Sequence, residues 1–476
     1  MSLRRKFEAA MGEEAVAAFD WSKILYPPDY VSFVKDKEAF TVSPNDGREV
    51  YWILRTCLSR KTPVTPAASR TNVRGQAIPL HGGVVMDLCR MRGVKEVDAD
   101  AATATVLPGT TYADFAGGLM KRSLRPRVLP FRSSNSSVAG FIAEGGVGLG
   151  SLKYGTVAND ILHLNFVNPY IKLNKLYYSL GVYPESTPFY RTELDPFISS
   201  GGGKVSTYGL GYNLKDLLVG SEGTLGVITQ VTLALKPTRG QQLTALFEYS
   251  TVEDAAAGLR HAASHSSKPY VLCLLNAEAS KHFGVSGSVE SFSVLGVLEE
   301  EDAEKRATVQ KTHEAILAAK GKKQPDEAAA KAWKSLLSGI AYTADSGKFV
   351  PSEEIKLPTS KISEALKAVA AAGKKHGFTP AAAVLPYAVD RGLLCTWTPT
   401  TSGSSGEING FASFAAEVRA SLRAIDGYPY GVGLMTDEAS GDIPPALMST
   451  MKSIKAQLDR RGILNPGKLL DVSKGG

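Results

Sequence analysis

Between Asp216 and Gln230 the chain reads DLLVGSEGTLGVITQ, an apolar run (Leu217, Leu218, Val219, Leu225, Val227, Ile228) broken by glycines at 220, 223 and 226. Glycine permits φ > 0 and lets backbone approach a ligand with no Cβ between them. Ser221, Glu222 and Thr224 set polar groups between the glycines. The stretch therefore suits a flat polar ligand gripped by backbone, although a tight turn between strands would carry a similar pattern.

The same kind of punctuation recurs along the first half. Residues 1–40 are expected to form a mostly helical lead-in, broken at Pro27 and Pro28. Residues 41–75 predict strand, helix, strand and glycine loop, with Val50, Ile53, Leu54, Cys57 and Leu58 at helical spacing behind Pro44 and Asp46. A short strand at Pro63–Thr65 runs into the small, polar loop Pro66, Ala67, Ala68, Ser69, Arg70, Thr71, Asn72. Successive N–H groups in such a loop form an anion-binding concavity suited to a pyrophosphate, to which Arg70 or Arg74 would add charge. Strands are expected at 82–91 and from Thr103, with a helix from about Thr111. Pro130 to Gly146 is crowded with small residues. Ser133, Ser134, Ser136 and Ser137 can donate to phosphate or ring carbonyl oxygens, and Ala139 and Gly140 leave room for a planar group. The apolar anchors Val138, Phe141 and Ile142 argue against a flexible linker. A tight turn at Tyr154–Gly155 and a strand from Ile161 follow, then an irregular insertion over 168–208, a long loop, a lid or an oligomer contact.

The pattern changes after Pro237. Apolar runs LTALFEY, YVLCLLN, FSVLGVL, AAAVLPYAV and GLLCTWTP alternate with helices near 252–265, 302–320, 326–338, 360–376 and 410–424. Ile362, Leu366 and Val369 make one buried stripe. Strands and helices without strict βαβ alternation predict an α+β domain with an antiparallel sheet. The tip TTSGSSGE (400–407) is of low complexity and is expected to be mobile. Leu447, Met451, Ile454 and Leu458 form a helical stripe, with Arg460 and Arg461 in the last turn and Gly462 just beyond. His376 is expected to cap the helix before it.

Composition narrows the function classes. The length of 476 residues suits about two or three domains. The net charge is +7, but acids and bases are interspersed and no Lys/Arg block argues for nucleic acid. Cys57, Cys89, Cys273 and Cys395 form no CxxC pair, which speaks against zinc ribbons and cysteine-ligated iron–sulfur clusters. No secretory h-region and no membrane-spanning run is visible. A cytoplasmic protein is expected, with peripheral membrane contact and a homodimer left open.

Four segments in order, PVTPAASRTNVRG, PFRSSNSSVAGFIAEGG with LKYGTVANDI, LVGSEGTLGVIT and RGILNPGKLL, resemble the FAD-binding superfamily of vanillyl-alcohol-oxidase (PCMH) type. The closer likeness is to its D-lactate dehydrogenase and glycolate oxidase subunit branch. The resemblance implies a PCMH-type FAD-binding domain of two α/β subdomains over 1–239, an α+β cap domain over 240–425, and a segment over 426–476 returning to the FAD domain. It implies that Ala67 to Asn72 hold the pyrophosphate, with Pro66 leading in. Pro130, Ser134, Ser137, Ala139, Gly140 and Ala143 would lie along the pyrophosphate and isoalloxazine. Ile161, Glu222, Gly223, Gly226 and Ile228 would surround the ribose and adenine end, and Asn465 would approach the flavin ring. The first loop has no His of the kind this superfamily commonly links to its flavin, so FAD is expected without a covalent bond. His81 is expected to be an ordinary turn residue.

The active-site side departs from the branch. Relatives often carry GHxGDGNxH and GEHGxG segments that supply metal-ligand histidines, a Glu and a catalytic His. Here Tyr387 and Leu394 stand where the first histidines would be, with Pro429 at the Glu and Tyr430 at the catalytic His. No metal site is expected. Tyr430, then Tyr387, are the candidates for taking a substrate hydroxyl proton. An ordinary Tyr has a pKa of about 10 and needs a nearby cation to act as a base, and Arg391 is the candidate for that cation or for a clamp on a substrate carboxylate. The implied activity is FAD-dependent oxidation of a 2-hydroxy acid, foremost D-lactate to pyruvate, with a quinone or dye as acceptor. Oxidation of neutral or phenolic alcohols and a non-redox ether-lipid synthase are the alternatives.

Overall fold

The computed structural model describes residues 2–20, 38–72, 74–131, 134–168, 170, 190–191, 215–238, 242–285, 291–300, 302–338, 351–398, 405–434 and 443–469. Most of the insertion expected over 168–208 lies outside them, as do residues 400–404 of the low-complexity tip.

The lead-in is helical only in part. Helix α1 (Leu3–Met11) is capped by Ser2, whose hydroxyl accepts from the Arg5 amide. The chain then becomes β1 (Val16–Ala18), an antiparallel edge on β2 (Ala39–Val42). β2, β4 (Gly83–Asp87) and β3 (Val64–Ala67) run parallel. Helix α2 (Gly47–Arg60) starts where Asp46 accepts from the Arg48 and Glu49 amides, and it buries Val50, Ile53, Leu54, Cys57 and Leu58. This is the first layer.

A second, antiparallel sheet runs β11 (Tyr190–Arg191), β10 (Ile161–Val167), β12 (Val227–Pro237), β6 (Thr103–Val106), β5 (Val94–Asp98), and β7 (Leu124–Pro126) pairs with the far end of β12. Helix α3 (Tyr112–Met120) and helix α4 (Val138–Glu144) pack on it. Residues 138–144 of the Ser-rich stretch thus become α4, capped by Ser137. The short strands β8 (Leu129–Pro130) and β9 (Gly148–Leu149) pair beside it.

The third sheet is antiparallel throughout. Its described strands run β16 (Lys322–Lys323), β13 (Gln242–Tyr249), β15 (Phe292–Glu299), β14 (Val271–Leu275), β18 (Ala381–Pro386), β19 (Arg391–Trp397), β17 (Ser352–Pro358), β20 (Tyr428–Pro429). Successive side chains of a strand face opposite ways. Along β14, Leu272 and Leu274 enter one core, and Val271, Cys273 and Leu275 the other. Both faces are covered, which is why these strands are apolar without alternation. Helices α5 (Val252–Ser264), α8 (Ile362–Lys375) and α9 (Ser405–Arg423) cover the first face with the stripe Ile362, Leu366, Val369. Helix α6 (Ala303–Ala318) adds Leu317 there, and helix α7 (Asp326–Ser338) covers the second face. His376 caps α8 and meets Glu417 at 2.9 Å.

Glu299 ties the second and third sheets together. Its carboxylate pairs with Arg125 and lies 3.7 Å from Lys236, while Gln242 donates at 2.6 Å. Lys153 donates to its carbonyl. Glu299→Gln leaves these cations facing one another and should cost about 1–3 kcal/mol. Thermal unfolding followed by circular dichroism checks this, and a midpoint within a degree of the parent would show that solvent already screens the group.

Helix α10 (Pro445–Leu458) does not bury its expected stripe. Leu447 is 51% exposed, and Met451, Ile454 and Leu458 are half-buried. The buried face instead carries Lys455, joined by Asp459 just past the helix end. Arg460 and Arg461 follow the helix rather than closing it. The chain then returns to the first layer, where Val64 donates to the Ile463 carbonyl at 2.7 Å and Asn465 donates back at 2.8 Å.

Candidate functional site

Three turns converge on one cleft, whose empty space, counted out to where it opens to solvent, is about 820 Å³. Its lining includes Pro66 to Asn72, then Ser137, Ala139, Gly140 and Ala143, then Glu222, Gly223, Gly226 and Ile228. The first and third turns touch: a Cβ on Gly223, at φ +73, would lie 3.2 Å from Pro66. Gly226 is required for another reason, since a Cβ there would lie 2.7 Å from the Phe166 ring. Ser69 Oγ accepts from the Ser137 amide at 2.8 Å, and the hydroxyls of Thr71 and Ser136 are 3.0 Å apart, which ties the first turn to the second.

Other expected residues lie elsewhere. Pro130 pairs with Gly148 in the β8–β9 ribbon, and the Ser134 carbonyl accepts from Ala113. Ile161 is packed in the core of the second sheet, because the first residue of β10 faces Leu164 and Phe166 rather than the cleft. Asn465 is buried beneath the cleft, donating to the Gln76 and Glu222 carbonyls at 3.1 and 2.7 Å. The Glu222 carboxylate is engaged by backbone: it accepts from the Val432 and Gly433 amides at 2.8 and 2.9 Å. Burial pushes its pKa up, against those two bonds. Arg70 is held by Asp87 at 2.8 Å, and Arg74 leaves the first turn altogether. Arg74 pairs with Glu353 at 2.9 Å and donates to the Gly431 and Glu354 carbonyls, so its guanidinium is committed away from the first turn.

Sequence reading did not single out Gln76, Leu88 or Glu144 as lining residues. Gln76 bears on the fit of a dinucleotide. Its Oε1 and Arg70 Nε are buried without a hydrogen-bond partner among the described residues. The lining thus holds one acceptor and one donor in reserve, beside small residues that leave flat space. A flavin dinucleotide presents both phosphate oxygens and a ring N–H, so the residues present fit it.

Past Gln76 and Glu144 lies a second corner. Tyr430 is buried against Val147 and Leu393, and its hydroxyl accepts from the Val147 amide at 2.8 Å. A Cβ on Gly145 would lie 3.8 Å from the Tyr430 ring. Tyr387 packs against this cluster at the β18–β19 turn. Arg391 does not join them: its side chain is 48% exposed, 3.8 Å from Asp390, over a separate depression shared with Asp426 and Tyr428. Burial pushes the Tyr387 pKa up, and Arg391 only partly offsets this. The cation beside Tyr430 is Lys356 of β17, 5.0 Å from the ring centroid. It went unnoticed because S-E-E-I-K-L-P has no strand-like alternation: Glu353 and Glu354 are both buried, Glu353 through Arg74 and Arg419. Leu394 lies in the apolar core. Among the described residues no group of three or more His, Cys, Asp or Glu could hold a metal ion.

Lys468 supports the third turn from below. It is fully buried, donates to the Ile78 carbonyl at 2.7 Å, and burial pushes its pKa down to about 7, with Glu222 offsetting part. From about pH 7 to the unfolded value near 10.4, the unfolded chain binds the extra proton. Stability therefore rises with pH across that window, and below it the full cost of the buried charge is present. Lys468→Met should flatten this slope, by up to about 1.4 kcal/mol per pH unit. Thermal midpoints of both proteins from pH 6.5 to 9 test it, and parallel curves would refute it.

A cleft formed by small-residue turns, with an unpartnered buried donor and acceptor in its wall, is the mark of a dinucleotide-binding protein. Comparison with known families matches residues 39–170 to "FAD binding domain" and residues 240–469 to "FAD linked oxidases, C-terminal domain". The glycolate oxidase subunit GlcD of Bacillus subtilis is 26% identical over 463 residues, covering 94% of this chain and 92% of that one. A D-lactate dehydrogenase of Archaeoglobus fulgidus is 25% identical over 439 residues, covering 90% of each. The crystal structure of p-cresol methylhydroxylase with substrate bound superposes with a TM-score of 0.76 at 15% identity, over 98% of this chain and 96% of that one. The two matches together span most of the chain, which belongs to the FAD-linked oxidases, and its cofactor is FAD. Among the described residues no helix is long and apolar enough to cross a membrane.

Proposed function

We propose that this flavoprotein is a dehydrogenase of a 2-hydroxy acid, foremost D-lactate, that passes electrons to a quinone or dye. The observation that carries the reading is Tyr430, a buried phenol held by a backbone amide where the cofactor cleft ends. The glycolate oxidase subunit and the D-lactate dehydrogenase that match nearly the whole chain support it. FAD, when bound, supplies the hydride-accepting ring. The backbone of Ala67 to Asn72 would hold its pyrophosphate, and Ala139, Gly140 and Ala143 leave the flat space. No His stands in that first turn, so the cofactor is held without a covalent link. Tyr430, having first lost its own proton to solvent, would take the hydroxyl proton as a tyrosinate and become neutral again, with the Val147 N–H stabilising the negative oxygen before transfer. Tyr387 would wall the pocket. The division at 239 and 425 makes residues 240–425 the cap that covers the substrate.

Anaerobic mixing with D-lactate, L-lactate and p-cresol tests the reading. D-lactate should bleach the flavin band within seconds. Bleaching by p-cresol alone would replace the hydroxy acid with a phenolic alcohol.

A further inference from the structure

We propose that Lys356 is the anchor for the substrate carboxylate, and that the substrate carries a single carboxylate. This rests on the 2-hydroxy-acid reading. Hydroxyl and carboxylate sit on adjacent carbons of such an acid, so the anchor and the proton acceptor must be neighbours. Arg391 is half-exposed beside Asp390 over a separate depression, whereas Lys356 faces the Tyr430 ring at 5.0 Å.

The position of Lys356 follows from strand geometry. Ile355 and Leu357 point into the apolar core, so Lys356 points the other way, opposite Leu393 and Tyr428 in register. It pairs with Leu393 across the strands and faces the Tyr430 ring, both members of one apolar cluster. Among the described residues its ammonium makes no hydrogen bond and no ion pair. The other cation nearby, Arg74, is spent on Glu353 and two carbonyls. Glu144 is near enough to act on Lys356 by charge, but it is not within ion-pair distance, and Gln76 meets it at 3.4 Å. Burial lowers the pKa of Lys356, as expected of a cation held out of water without an acid beside it. A desolvated, unpaired cation weakens the free protein and suits a bound anion. One cation takes one carboxylate, and a second carboxylate on the ligand would face Glu144.

Lys356→Met and Lys356→Arg, loaded with FAD, test the assignment. Pyruvate titrated into oxidised enzyme should perturb the flavin spectrum. The Met variant should weaken pyruvate binding by about 30-fold or more, and Arg should restore part of it. KM for D-lactate should rise with kcat nearly kept, turnover of the neutral lactamide should be unchanged, and D-malate should be a poorer substrate than D-lactate. The Met variant should melt no lower than the parent. Pyruvate affinity within threefold of the parent, or equal losses for pyruvate and lactamide with a lowered melting point, would overturn the anchor. Bleaching of both proteins by D-lactate at the same KM would keep the dehydrogenase and discard the anchor. Lys356-dependent pyruvate binding in a protein that no hydroxy acid bleaches would keep the anchor and discard the dehydrogenase.

Discussion

Tyr430→Phe should slow single-turnover reduction of the flavin by D-lactate about 10²–10⁴-fold, the usual worth of a positioned proton acceptor. The change removes one oxygen and leaves the ring. Contacts with Val147 and Leu393 and the approach of Lys356 stay in place, so substrate affinity should move little. The loss should therefore fall on the rate and not on KM, the mark of an interaction made mainly in the transition state. The variant also orphans the Val147 amide, which now donates to the phenol. An unmet buried amide costs about 1–3 kcal/mol, so the melting point should drop while FAD stays bound. Tyr387→Phe is the control. Tyr387 stands at a turn with its pKa pushed up by burial, and its loss should cost less than fivefold. Equal small effects for both tyrosines would make them pocket walls and leave proton transfer to another group.

The contrast between the two tyrosines shows which parts of the site were legible in the sequence. Turns made of small residues announce themselves locally: 66–72, 137–143 and 222–228 were found because glycine, alanine and serine leave a visible gap in the apolar pattern. Their convergence needed no knowledge of side-chain direction. Tyr430 was singled out through the family's motif. The partners of charged residues were not legible, because sequence says nothing of what a side chain meets across the fold. Arg391 looked like the active-site cation since it is four residues from Tyr387, yet the β18–β19 hairpin turns it outward. Lys356 was hidden in β17, whose two buried acids disguise a central strand as a polar loop. Ile161 was misplaced for a related reason. The first residue of a strand can face either way, and here it faces the core. Glu222 was correctly set in the third turn but given to the ribose, when its carboxylate instead clamps the backbone at 432–433. The fold itself was more open. The helices of the cap domain fall close to their expected spans because their amphipathic period is long enough to read, while the exposed edge strand β5 and the short β16 and β20 carry too little pattern.

Asp459→Ala should cost about 3–5 kcal/mol, the range for breaking one side of a buried ion pair, and should release FAD early on heating. Asp459 accepts from Lys455 at 2.5 Å and from the amides of Ile463 and Leu464 at 3.0 and 2.8 Å. Lys455 in turn donates to the carbonyls of Thr224 and Leu464 at 2.7 and 2.9 Å. One ion pair therefore fastens the C-terminal segment to the third turn, and Asn465 extends the fastening to Glu222 and Gln76. Burial already pushes the Lys455 pKa down, with Asp459 as the force holding it up. Without the acid, the lysine must lose its proton or leave, and either frees the turn that lines the cofactor cleft. FAD fluorescence on a thermal ramp should show release about 10 °C below the parent. The double variant Lys455→Met with Asp459→Ala removes charge from both sides, and an apolar pair in place of a buried ion pair is often tolerated. It should recover much of the lost midpoint. If the single variant released FAD within two degrees of the parent, the C-terminal segment would be an ornament on the cofactor site and not its fastening.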